Sequence, residues 1–356
     1  MSPLPNDIRA TLSRGVAIPA HPLALNASRK LDERRQRALS RYYIAAGAGG
    51  LAVGVHTTQF EIRDPRIGLF DPVLRIAKEE MDRADQSRSQ KLLRIGGICG
   101  TTAQAVREAT LLRDLGYHAG LLSLAAFKDA TDEAMIAHCR EVAKVIPLIG
   151  FYLQPAVGGR VLPWWFWLAL AQQVENLAAI KIAPFNRYQT LDVVRAVAMA
   201  GRDDIVLYTG NDDNIVMDLL TPYRLNVGKN LVERRIVGGL LGHWSVWTRK
   251  AVELLDECHQ IVQRGEGISQ EMLRRSIEVT DSNAAFFDAA NAFKGCIAGL
   301  HEVLRRQGLL EGVWCLDEHE TFGPGQLDEI NRVCAAYPHL SDDQFVAEHR
   351  DEWLRG

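Results

Sequence analysis

Residues 147–184 read PLIGFYLQPAVGGRVLPWWFWLALAQQVENLAAIKIAP, and the pattern of this stretch decides the fold. An apolar run at 147–152 ends at Gln154-Pro155, a helical segment opened by Pro163 spans 163–174, and a second apolar run follows at 178–182. Two short β-prone runs flanking a helical period form a βαβ unit, whose strands must lie parallel. The same alternation extends outward in both directions. Further strand candidates lie at 16–20, 50–55, 93–98, 119–122, 205–208 and 236–241. The helical segments that follow the strands lie at 31–46, 72–84, 103–115, 132–145, 163–174, 191–200, 214–220 and 244–262. Eight strands, each followed by a helix, predict an α/β fold of the (β/α)8 TIM-barrel type over residues 1–264. An open doubly wound sheet would need a switch point, and none is visible. After Gly265-Glu266-Gly267 the strands stop, so residues 265–356 are expected to form a C-terminal helical domain, broken at Pro324-Gly325.

The 356-residue composition fits this reading. Apolar residues make up 47% and charged residues 24%, enough to build a sizeable core and far from the composition of a disordered chain. Lys+Arg 41 against Asp+Glu 44 leave a net charge of -3, too weak a field to hold nucleic acid or an anionic membrane. Small molecules are the expected partners. Six cysteines (Cys99, Cys139, Cys258, Cys296, Cys315, Cys334) are scattered without a CxxC pair, so reduced thiols are expected rather than a zinc site or a disulfide framework. The first residues lack a signal-peptide apolar core, and the longest apolar stretch, 161–171, is about half a membrane span, so a cytoplasmic location is expected.

Ala179-Ile180-Lys181-Ile182-Ala183 sets one lysine in an apolar run at the end of the sixth strand, the end at which barrels carry their catalytic groups. Burial there disfavours the ammonium form and favours the free amine, which attacks carbonyl carbon. The alternative is a strand-end lysine reaching out to water. Tyr152, at the end of the fifth strand, reads either as a proton shuttle beside Lys181 or as a core tyrosine. Thr57 and Thr58, after the second strand, read either as a carboxylate cradle or as turn caps. His21 and His56 end strands one and two and are candidates for substrate contact or proton transfer. Metal binding by that pair lacks a third ligand at suitable spacing, and Asp317-Glu318-His319-Glu320 reads as a solvated loop. Pro163-Trp164-Trp165-Phe166-Trp167 fits a subunit interface, a lip over the pocket or plain helix packing. Gly47-Ala48-Gly49-Gly50 is not a dinucleotide loop, because a helix precedes it and a strand follows.

In this order, these pieces resemble the dihydrodipicolinate synthase and N-acetylneuraminate lyase family of lysine-dependent aldolases, over nearly the whole chain. The family's G-T-T-G-E loop is similar to His56-Thr57-Thr58-Gln59-Phe60-Glu61, its Y-N-x-P to Tyr152-Leu153-Gln154-Pro155, and its I-K strand to Ile180-Lys181. Gly210-Asn211-Asp212 follows strand seven where the family has a glycine-containing turn. The resemblance implies a homo-oligomer, dimer or tetramer, that acts on pyruvate or a related 2-oxo acid, with an aldehyde as second partner, through a lysine imine and without an external cofactor. It also implies Lys181 as nucleophile, Tyr152 as proton shuttle, Thr57 and Thr58 as relay and carboxylate positions, and Gly210 facing the pocket. Phe127 replaces a relay tyrosine and Val157 an arginine that holds the aldehyde's carboxylate, with Arg160 displaced by three positions. A true dihydrodipicolinate synthase is therefore not expected. The alternatives are an imine-based dehydratase or hydratase of a sugar-derived 2-oxo acid, or a binding protein without turnover.

Overall fold

All eight apolar runs are strands in the computed structural model, which describes residues 3–355. In chain order its first elements are α1 (Asn6–Arg14), β1 (Ala17–Pro19), α2 (Glu33–Ala45), β2 (Gly50–Val53), α3 (Phe70–Asp85), β3 (Leu93–Ile98), α4 (Thr102–Asp114) and β4 (Ala119–Leu122). They are followed by α5 (Asp132–Ala143), β5 (Leu148–Leu153), α6 (Trp164–Gln173), β6 (Leu177–Ala183), α7 (Arg187–Ala200), β7 (Val206–Thr209) and α8 (Ile215–Leu220). A hairpin of β8 (Tyr223–Val227) and β9 (Asn230–Arg234) precedes β10 (Ile236–Leu241). Helices α9 (Thr248–Arg264), α10 (Gln270–Phe286), α11 (Cys296–Arg306), α12 (Gln326–Ala336) and α13 (Asp343–Arg355) complete the chain. This is the (β/α)8 barrel architecture with a C-terminal helical region that the strand count predicts. The hairpin is an addition the sequence reading did not contain. Its strands are half exposed and rich in charge, so they show no apolar run, and Gly228 at φ +60° makes the turn.

The chain packs as two compact units. One holds the chain up to Gly15 together with Leu93–Gly239. Within it the strands pair in parallel, with Leu121 opposite Ile149, Phe151 opposite Lys181, Lys181 opposite Tyr208, and Tyr208 opposite Gly238, and with register shifts between Leu148 and Ile149 and between Ile236 and Gly238. Residues opposite one another in parallel strands share a face, and alternate residues take the other face. The Tyr208 hydroxyl donates to the Leu12 carbonyl at 2.8 Å, which ties α1 to the sheet. Side-chain caps start two of the helices of this unit, with Thr131 accepting from Ala134 N–H before α5 and Asn186 from Gln189 N–H before α7.

The second unit holds Val16–Leu92 and the chain from Leu240 onward. Ala20 N–H donates to Leu241 at 3.1 Å and His21 N–H to Ala52 at 2.8 Å, joining β1 to the end of β10 and to β2. The helical region beyond 264 belongs to this unit, so the boundary expected at 264/265 falls inside a packed body. The reason is a buried polar junction. The Tyr42 hydroxyl on α2 donates to Asp342 at 2.8 Å and accepts from Thr248 N–H of α9 at 2.8 Å, while Gln307 donates to Asp342 at 2.7 Å. The Trp353 ring of α13 covers Tyr42, with centroids 5.6 Å apart. No helix among the described residues is long and apolar enough to cross a membrane.

Candidate active site

Every residue of β6 is buried, but its two faces differ. Lys181 retains 8% exposure and Ala183 5%, as do Phe151 at 7% and Leu153 at 9% on β5, whereas Tyr152 and Ile182 on the opposite face retain none. The face that carries Lys181 is therefore the one that keeps residual exposure at these positions. Phe151 stands opposite Lys181 in register, and the Lys181 amine lies 4.5 Å from the centre of its ring.

The lysine stem needs the glycine at the end of β7. A Cβ on Gly210 would lie 2.5 Å from Lys181 Cε and 2.8 Å from Ala183 Cβ, closer than real contacts allow. Gly210 N–H donates to Ile182 at 2.7 Å, and the next residue anchors the turn. Asn211 donates through its side chain to Asp218 at 2.9 Å and to Thr190 at 3.1 Å, and its amide oxygen accepts from Phe185 N–H at 3.0 Å. Asp218, fully buried on α8, also accepts from Thr209 at 2.7 Å and pairs with Arg187. The Gly-Asn turn was visible in sequence; the roles of Asp218 and Arg187 were not, because neither stands in a motif.

Tyr152 corrects an expectation. It stands opposite Ile182, so its side chain leaves β5 on the face away from Lys181. Its hydroxyl accepts from Leu162 N–H at 3.1 Å, and its ring lies against Trp167 of α6, with centroids 5.1 Å apart. Burial holds the phenol above its ordinary pKa, which suits a permanent hydrogen-bond partner. The aromatic residues opposite the lysine in register are Phe151, which has no proton to move, and Tyr208, whose hydroxyl donates to the Leu12 carbonyl.

The candidates in the second unit are also occupied. The Thr57 hydroxyl donates to Ala20 O at 2.7 Å. Thr58 donates to His21 O at 2.7 Å and accepts from Gly54 N–H at 3.0 Å and Val55 N–H at 3.2 Å. Both hydroxyl protons pin the turn to the end of β1, so the expected carboxylate cradle is in this structure a turn cap. His21 is turned toward α2, with Nδ1 2.8 Å from Pro22 O and Nε2 2.9 Å from the Ser40 hydroxyl, and its ring meets Tyr43 edge-on. Burial lowers its pKa to about 4, so it is a neutral core histidine rather than a substrate contact. His56 is half-buried in the same short turn, 6.0 Å from the Phe60 ring.

The departures noted in sequence resolve locally. Phe127 packs on His138 at 4.3 Å between ring centres. Arg160 gives one guanidinium nitrogen to the carbonyls of Phe127 at 3.1 Å, Lys128 at 3.1 Å and Ala130 at 2.8 Å, and is committed to that loop. In the aromatic block, Phe166 and Trp167 are buried, Arg195 lies over Trp164, and Trp165 is exposed. Asp317, Glu318 and His319 are exposed as expected, but Glu320 is half-buried, and burial together with repulsion from Glu61 raises its carboxyl to about 7. The six cysteines are free thiols, and no group of three or more metal-binding side chains exists among the described residues.

The architecture defines a class: the fold is that of the dihydrodipicolinate synthases and N-acetylneuraminate lyases. The dihydrodipicolinate synthase of Oceanobacillus iheyensis superposes with a TM-score of 0.73 at 14% identity, over 94% of this chain and 100% of that one. N-acetylneuraminate lyase from Fusobacterium nucleatum gives 0.69 at 14% identity, over 91% and 99%. A prophage protein of E. coli K12 belonging to the dihydrodipicolinic acid synthase family, solved in complex with pyruvate, gives 0.70 at 16% identity, over 91% and 97%. No protein-family model and no curated protein matches the chain.

Proposed function

We propose that the protein is a lyase or aldolase whose Lys181 forms a Schiff base with pyruvate or a related 2-oxo acid and makes or breaks a C–C bond. The observation that carries this reading is Lys181 itself, the charged residue of an otherwise apolar strand, on the face that retains exposure, with Gly210 clearing its stem. The pyruvate complexes known for proteins of the same fold support a 2-oxo acid as ligand.

In the reaction, the free amine adds to the ketone carbon, forming an N–C bond while a proton passes to the oxygen. The carbinolamine hydroxyl then leaves as water with one further proton, giving the iminium; nothing is oxidised or reduced. The iminium accepts the electron pair of the adjacent C–C or C–H bond as an enamine. Tyr152 takes no part. Phe127, Val157 and the commitment of Arg160 support a substrate other than that of the synthases. Function as a dimer or tetramer in the cytoplasm belongs to the same proposal.

A second reading has a specific observation in its favour. Phe151, without a hydroxyl, stands beside Lys181, and the protons of Thr57 and Thr58 are committed, which fits a 2-oxo acid binding protein that captures its ligand without turning it over. Borohydride reduction with pyruvate, followed by peptide mass analysis, tests the shared premise. Release of an aldehyde from a 4-hydroxy-2-oxo acid distinguishes the two readings.

A further inference from the structure

The face that bears Lys181 continues beyond it toward the strand ends, and the next pair on it from β5 and β6 is apolar. Leu153 and Ala183 stand opposite one another one alternation past Phe151 and Lys181, and they share its residual exposure. The space at Gly210 is bounded by both Lys181 Cε and Ala183 Cβ, so the lysine stem and Ala183 lie side by side there. A molecule bonded to the amine therefore projects its substituent against this pair. The cation nearest in sequence after β5, Arg160, points its guanidinium at three backbone carbonyls of the loop after β4. A carboxylate laid on Leu153 and Ala183 would lose water against two apolar side chains.

The geometry points to a specificity subsite: Leu153 and Ala183 receive an uncharged, apolar substituent at C3 and beyond of the 2-oxo acid, and they reject acids with a second carboxylate there. The inference rests on the Schiff-base reading of Lys181 and deepens it by naming the substrate class. Alkyl and aryl 2-oxo acids, or the aldols that release them, are the substrates that fit.

The test is borohydride trapping of the full-length protein with five acids: pyruvate, 2-oxobutyrate, 4-methyl-2-oxopentanoate, oxaloacetate and 2-oxoglutarate, with the Lys181 peptide followed by mass. The two alkyl acids should label Lys181 at least as fast as pyruvate, and the two diacids about 100-fold more slowly than the alkyl acids. Leu153→Arg should raise 2-oxoglutarate labelling about tenfold relative to 2-oxobutyrate, with thermal melting run alongside to show that the variant folds. Diacids labelling as fast as alkyl acids in the unaltered protein overturns the apolar subsite and leaves the Schiff base standing. A folded Leu153→Arg protein with unchanged preference also overturns it. If no acid labels Lys181, the Schiff-base reading falls and the subsite with it.

Discussion

β5 and β6 lie side by side, both apolar and both carrying one residue with catalytic potential, yet only one of those residues stands on the face that keeps residual exposure. Lys181 shares its face with Phe151, while Tyr152, one position further along β5, is sealed against Trp167 and bonded to the Leu162 amide. One residue of register separates a phenol beside the lysine from a phenol in the helix layer. Residue type and spacing along the chain do not determine which side of a sheet a group faces; the pairing does.

The largest test of this contrast is on the lysine side. Gly210→Ala forces the Lys181 stem aside, because its Cβ would stand 2.5 Å from Cε, and trapping with pyruvate should slow by about 100-fold while the fold persists. An unchanged trapping rate would show that the stem does not need the gap. Next is Asp218→Asn, which leaves Arg187 without its buried partner and weakens the bonds to Thr209 and Asn211. It should destabilise the protein by about 3 kcal/mol in urea unfolding and slow trapping as the Gly210 turn loosens. Tyr152→Phe addresses the other side. It removes only the acceptor for Leu162 N–H, so stability should fall by about 2 kcal/mol while trapping at Lys181 is unaltered. A loss of trapping in a stable Tyr152→Phe protein would restore the phenol to the reaction.

The smallest effect concerns pH. His21, held neutral with a pKa of about 4 by burial, takes up a proton in the unfolded chain near pH 6.5 but not in the folded one. Its contribution is complete above that pH and is lost as pH falls from about 6.5 toward 4, costing about 1 kcal/mol by pH 5.5. His243 and His301, also lowered to about 4 by burial, act in the same direction, and Glu320, raised to about 7, opposes them in part. Urea midpoints measured down this range should fall, and a His21→Gln variant should show the shallower slope. Equal slopes would mean that His21 titrates in the folded protein.

The barrel was legible because its signal is redundant. Eight apolar runs alternating with helical periods survive errors of a residue or two at each end, as the shift from 147–152 to Leu148–Leu153 shows. The lysine was legible because a charge within an apolar run stands out. The site around it was not, because a face assignment tolerates no such error, and because a threonine that binds a ligand and one that caps a turn are identical in sequence. Thr57 and Thr58 are bonded to Ala20 and His21, which precede them by 37 residues, and only the folded chain brings these together. The buried junction of Tyr42, Asp342 and Thr248 escaped for the same reason, and with it the packing of the C-terminal helices against α2.

The most direct test is reduction with sodium borohydride in the presence and absence of pyruvate, followed by mass analysis of the peptide that contains residue 181. A pyruvate-dependent adduct on Lys181, absent from Lys181→Met, is the predicted result. No adduct, or an adduct on a different lysine, would contradict the account.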